Sequence, residues 1–242
     1  MRFSKLRLAK KVLQWVIWVA LIVALFAEIY YQNWLALMAI IAALVLTILP
    51  ILFQRRYNIY LPEEFEMWIL IFIYLTLYLG DIQKFYALFW WWDVLLHGFS
   101  AVSIGIVGFV IMLYLQQGNK VHAKPFLICL FAFAFTVAAG AIWEIFEFSL
   151  DQIFGLTTQD NSLYDTMTDL IIDSIGAFIG ALLGYLYLKD KNSGLTYTIR
   201  SFVRLNSSMF KEFSAEVSKK YKKIKDSKVG RKILKGRGLS NF

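Results

Sequence analysis

Carboxylates and one histidine recur in this 242-residue chain at spacings that a helix would turn onto one face. Asp93 and His97 are four apart, and Glu144 and Glu147 are three apart. Asp151 continues the second stripe, and Asp165, Asp169 and Asp173 step by four. Residues three or four apart are neighbours on a helix surface. All three stretches lie in or beside long apolar runs. There an ionisable group costs about 2.5–3.5 kcal/mol on the insertion scale, so a cluster needs a reason. The set that stands out is Asp93, His97, Glu144, Glu147, Asp169 and Asp173.

These residue types can do three things. They can ligate a divalent cation, relay protons, or join helices through hydrogen bonds. So many close acids cannot all stay charged and unpaired; some are protonated or a cation neutralises them. No Lys or Arg occurs within the apolar stretches that carry them. A carboxylate-rich set with one His suits Mn, Mg, Ca or Fe, with Zn also possible. In a metal-dependent reaction, Glu144, Glu147 or Asp169 would be the candidate catalytic base.

The stripes continue into small residues: Ala101, Gly105 and Gly108 beyond His97, Gly140 beside Glu144, and Gly176, Gly180 and Gly184 beyond Asp173. Small faces let membrane helices approach closely, which turns the acids into a bundle rather than into lipid. At about 1.5 Å per residue, His97 lies roughly 6 Å from Asp93 along its helix, and Asp173 roughly 6 Å from Asp169. One layer can hold all six.

The elements that must position them are membrane spans. The chain is 59% hydrophobic and 17% aromatic, with uninterrupted apolar runs of bilayer-spanning length. Continuous rather than alternating runs argue against a barrel. We read an all-α, polytopic protein with a basic N-terminus (residues 1–11) and a membrane domain over 12–188. The six spans fall at about 12–30, 34–53, 67–80, 94–115, 125–148 and 167–188. A basic tail (189–242) follows. Leu61-Pro62-Glu63-Glu64 reads as a helix start, which accounts for Glu63, Glu64 and Glu66. Trp90-Trp91-Trp92 reads as an interfacial belt or a stacking platform, and the aromatic segment 85–92 would border the substrate entrance of an enzyme. Asp160 and Asp165 read as loop and capping residues, with Ser162 in a capping-box-like position. Cys129, the single cysteine, reads as a small packed residue.

The net charge of +8 belongs to the tail, which holds 15 Lys/Arg against 4 Asp/Glu. Five basic residues open the chain, and Arg55, Arg56, Lys120 and Lys124 fall in loops on the same side. The opposite loops hold only Lys84. This bias predicts that both termini are cytoplasmic and that the acidic layer lies at the non-cytoplasmic ends of spans four to six. In the tail, Phe210, Phe213, Val217, Tyr221 and Ile224 form one apolar stripe among lysines. It suits an amphipathic helix on anionic lipid headgroups, and nucleic-acid binding is not expected.

Asp93-Val94-Leu95-Leu96-His97-Gly98, Trp143-Glu144-Ile145-Phe146-Glu147, Asp165-Thr166-Met167-Thr168-Asp169-Leu170 and Asp173-Ser174-Ile175-Gly176-Ala177 resemble the YjdF-type, VanZ-like proteins of the bacterial inner membrane. The resemblance covers roughly residues 60–190. It implies a multi-pass protein of the bacterial cytoplasmic membrane, in a group associated with tolerance of envelope-directed glycopeptide antibiotics. The VanZ pattern often carries Gln or Asn where this chain has Glu147 and Asp173. Two function classes stay open: a metal-dependent protein acting on a lipid or lipid-linked envelope substrate, and an ion- or proton-coupled transporter. A structural scaffold is a third.

Overall fold

The computed structural model describes residues 2–117, 121–159, 162–190 and 194–211, with side chains from Leu6 onward. Lys120, Asp160, Phe213, Val217, Tyr221 and Ile224 lie outside the described residues. Every regular element among the described residues is helical: α1 (Arg2–Tyr31), α2 (Trp34–Tyr57), α3 (Glu63–Ile73), α4 (Phe85–Leu88), α5 (Trp91–Gln117), α6 (Pro125–Phe154), α7 (Leu163–Lys189) and α8 (Tyr197–Leu205). A π-helical segment, Tyr74–Ile82, continues α3 without a break. Among the described residues, six helices are long and apolar enough to cross a membrane: α1, α2, α3 with its π extension, α5, α6 and α7. Their outer faces carry exposed Trp, Phe, Leu and Ile side chains, as lipid contact requires.

Helix ends follow local chemistry. Pro125 opens α6, where its missing N–H costs nothing. Gly155 closes α6 in the left-handed region at φ 66°. Asn58 closes α2 in the same way at φ 53°. The Ser162 hydroxyl caps α7 by accepting from the N–H groups of Tyr164 and Asp165. Pro50 is accommodated inside α2, which runs on to Tyr57.

The helices form two packed groups. In the first, α1, α2 and α3 bury Ile17, Leu21, Ala24, Ile40, Ala43, Leu70 and Ile73 against one another. Trp18 Nε1 donates to Thr47 Oγ1 at 2.9 Å across α1 and α2. Sequence alone explained Glu63 and Glu66 by helix-start preference, but both have partners. Lys10 pairs with Glu63 at 2.6 Å and also with Glu66, Arg7 pairs with Glu63 at 3.2 Å, and Gln54 donates to Glu66. Two of the N-terminal basic residues therefore neutralise acids at the start of α3.

The second group is α5, α6 and α7, and it holds the site. Its core includes Phe109, Met112, Leu113, Ile128, Ala132, Ala181 and Tyr187, with Ile199 of α8 joining at one end. α5 and α7 touch backbone to backbone. A Cβ placed on Gly180 would lie 2.8 Å from Val102 O and 2.9 Å from Gly105 Cα. A Cβ on Gly176 would lie 2.6 Å from that of Ala101, and one on Gly184 would overlap the Phe109 ring. Such closeness is available only to faces without side chains.

The end of this bundle near Gln117 and Lys189 is closed by α8. Asn206, 1% exposed, follows α8 and pairs with the Tyr60 backbone on both sides. Its Nδ2 donates to Tyr60 O at 2.7 Å, and its Oδ1 accepts from Tyr60 N at 2.7 Å. This pairing joins the α2–α3 connection to the chain that follows α7.

Candidate functional site

The N-termini of α5 and α7 and the C-terminal turns of α6 meet at the opposite end of the bundle from α8. α5 brings Asp93 and His97, α6 brings Glu144 and Glu147, and α7 brings Asp169 and Asp173. Four are buried: His97 is 8% exposed, Glu144 5%, Asp169 2% and Asp173 4%. Asp93 and Glu147 are half-buried at the rim.

Three of these residues converge. Asp93, His97 and Asp169 each offer a ligand atom, and these atoms all lie within 4.8 Å of one another. The His97 ring is held from both sides. Its Nδ1 lies 3.3 Å from Asp173 Oδ1, and its Nε2 lies 3.8 Å from Asp93 Oδ1. Asp173 thus occupies one ring nitrogen and leaves the other turned toward Asp93. Its seat depends on α6: a Cβ on Gly140 would overlap Asp173 Oδ2, so the missing side chain there makes room for the carboxylate.

Glu144 is positioned by the loop after α6. The Gln159 amide donates to Glu144 Oε2 at 3.2 Å, to Glu144 O at 3.3 Å and to Thr166 Oγ1 at 2.9 Å. Asp151 holds that loop down, accepting from Thr158 N at 2.7 Å, Thr158 Oγ1 at 2.6 Å and Gln159 N at 3.0 Å. Asp151 is therefore a loop clamp. Glu144 Oε1 and Asp169 Oδ2 are buried without a hydrogen-bond partner among the described residues. Unpaired buried carboxylate oxygens are uncommon and call for an explanation, such as an ion.

The sequence placed the aromatic segment 85–92 at the entrance to the site but did not single out Asp81 as part of a fourth wall. The π-helical segment brings Gly80 and Asp81 to this end, and α4 lays Tyr86 against Gly80, where an added Cβ would overlap the ring. Burial pushes the Tyr86 hydroxyl pKa upward, and the negative charges of Asp81, Asp93, Glu147 and Asp169 push it the same way. The phenol therefore sits, protonated, in the field of carboxylates from the π segment, α5, α6 and α7. Asp81 could have been noticed as an acid ending an apolar span. Gln159 and Tyr86 carry no spacing signal, because their places depend on how two loops fold back.

A helical bundle with charged residues buried at one end of its spans defines a polytopic membrane protein with a polar site. The chain belongs to the family of predicted membrane proteins DUF2238, which it matches over residues 9–190. It is similar to an uncharacterised protein of Thermotoga maritima, at 28% identity over 136 residues, which is 56% of this chain and 69% of the relative. No solved structure matches it.

Proposed function

We propose that this protein binds a divalent cation at Asp93, His97 and Asp169 and uses it on a lipid or lipid-linked substrate of the bacterial envelope. The observation that carries the reading is the convergence of three ligand atoms from two helices within 4.8 Å, next to buried carboxylate oxygens without partners. With His97 Nδ1 engaged by Asp173, Nε2 is the nitrogen left for the cation. A carboxylate on the second ring nitrogen is the usual way a metal-binding His is oriented. Glu144 and Glu147 stand beside this set as additional ligands or as a base for a cation-bound water. The oxygen-rich donor set favours Mn, Mg, Ca or Fe over Zn.

In this reading the site faces away from the cytoplasm in a bacterial inner membrane, and both termini are cytoplasmic. The Lys/Arg bias supports that orientation. The basic tail would rest on anionic headgroups of the inner leaflet. The resemblance of the Asp93–Gly98 segment to VanZ-like proteins motivates the envelope setting, while Glu147 and Asp173 depart from that pattern. A proton-coupled carrier has less support, because the stretches 101–117, 125–140 and 174–188 contain no charged residue to extend a relay.

Metal analysis tests the reading. Full-length protein purified in detergent and dialysed against Mn²⁺ is expected to retain one ion per chain. His97→Ala and Asp169→Asn are expected to lose it. Affinity should fall with pH, since protons compete for the same ligand atoms. Failure of the folded protein to retain Mn²⁺, Mg²⁺, Ca²⁺, Fe²⁺ or Zn²⁺ would sink the proposal.

A further inference from the structure

Beside the carboxylates, the α4–α5 corner carries two groups of opposite hydrogen-bonding character. Ionised carboxylates only accept, whereas the Trp indole N–H only donates and a protonated Tyr hydroxyl can donate. Trp92 immediately precedes Asp93 on α5 and is 7% exposed. Its Nε1 is buried without a hydrogen-bond partner among the described residues. Its ring meets that of Phe85 at 4.9 Å, edge to face. Phe85 is the residue before Tyr86 in α4, so both donors are carried by the same α4–α5 corner. Gly80, lacking a side chain, makes room for the Tyr86 ring.

The same corner presents a different surface outward. Leu88 is 65% exposed, Trp90 85% and Trp91 41%. Aromatic and apolar side chains gather where a helical bundle meets the membrane interface, because their rings tolerate one wet side and one oily side. A molecule reaching the site across this corner would pass an apolar lip first and polar donors next. That order fits an amphiphile entering headgroup first.

We propose that Tyr86 and Trp92 are the headgroup-binding side of the site, donating hydrogen bonds to a phosphate group of an amphiphile whose remaining oxygens face the cation. The proposal rests on the divalent-cation reading above and adds the class of ligand. Charge dictates an order of events. Without a cation, the carboxylates of the site supply no positive charge to attract a phosphate. With a cation bound, the site offers positive charge on one side and neutral donors on the other. Phosphate binding is therefore conditional on metal. Neither donor carries a charge, so removing one weakens phosphate binding without reaching the ion.

The test uses full-length protein in dodecyl maltoside with Mn²⁺ as the probe metal. Three arms are compared: radiolabelled dodecyl phosphate, radiolabelled inorganic phosphate and radiolabelled dodecanol. Retention of dodecyl phosphate only when Mn²⁺ is present is expected, with inorganic phosphate and dodecanol at least tenfold weaker. Tyr86→Phe, which removes one oxygen, should weaken dodecyl phosphate binding about tenfold while Mn²⁺ stoichiometry stays at the wild-type level. Trp92→Phe should act in the same way, and its Mn²⁺ retention reports that the bundle is intact. If wild-type protein binds Mn²⁺ but does not prefer dodecyl phosphate, or if both variants bind it as tightly as wild type, this proposal is overturned and the metal reading stands. Equal retention of inorganic phosphate overturns the amphiphile part. If wild-type protein takes up no divalent ion, the metal reading fails first and this one falls with it.

Discussion

His97 Nδ1 and Asp173 Oδ1 lie 3.3 Å apart, joining α5 to α7 across 76 residues of chain. The contact fixes the imidazole ring, so the direction of its other nitrogen is set by a residue on a different helix. Replacing Asp173 by Ala frees the ring without removing a member of the Asp93, His97 and Asp169 set. We expect Mn²⁺ affinity to drop about ten- to hundredfold, the range seen for orienting partners of ligand histidines. Asp173→Asn keeps an acceptor oxygen and should lose less. Titration calorimetry on both variants checks the order.

Gly140 should matter for the same reason from a third helix. An Ala there would drive its methyl into Asp173 Oδ2. Overpacking of this kind costs about 1–3 kcal/mol. Gly140→Ala is expected to lower the melting temperature in detergent and to weaken Mn²⁺ binding as Asp173→Ala does. Unchanged Mn²⁺ affinity in a folded Gly140→Ala protein would break the link between the two residues.

The α5–α7 contact separates two glycines on its opposite sides. At Gly180 an added methyl meets backbone atoms at 2.8 Å and 2.9 Å, which cannot step aside. At Gly98 the nearest atom is Ile172 Cγ2 at 3.4 Å, an ordinary contact. Gly180→Ala should destabilise by about 1–3 kcal/mol, whereas Gly98→Ala should melt close to wild type. Thermal melting of the pair in one detergent decides it.

Asn206→Ala removes both partners of the Tyr60 backbone. Leaving buried polar groups without partners costs about 1–3 kcal/mol. We expect faster proteolysis between α7 and α8 and a lower melting temperature, with Mn²⁺ affinity unchanged because the acids lie at the other end. Asn206→Asp sets a buried carboxylate oxygen against the Tyr60 and Phe202 carbonyl oxygens and should destabilise at least as much.

The spans were legible because bilayer depth forces long apolar runs, and these survive in sequence as a one-dimensional signal. The Asp93–His97 and Asp169–Asp173 pairs were legible because helical repeat places residues four apart on one face. The small faces at Gly176 and Gly180 were legible on the same ground. The span ends were less so. α6 runs on to Phe154, because Asp151 and the following loop tie off its last turn, which polarity alone does not reveal. Glu63 and Glu66 looked complete as helix-start residues, yet their ion pairs come from Lys10 and Arg7, far away in sequence. Gln159 was invisible as a site residue, and Tyr86 was legible only as one of the aromatic segment 85–92. Their positions follow from a π-helical register change and a folded-back loop, neither of which leaves a periodic trace.

The glycine-lined seam between α5 and α7 has a mechanical consequence. Backbones in contact cannot close further, and around Gly176 and Gly180 the aligned small faces leave no long side chain between them. The Asp93–His97 side and the Asp169–Asp173 side therefore behave as one fixed jaw. Whatever moves to admit a ligand must be the opposing parts: the α4 corner with Tyr86, or the loop that lays Gln159 over Glu144. The tightly packed α5–α7 seam leaves the α4 corner and the Gln159 loop as the sides from which a ligand can approach.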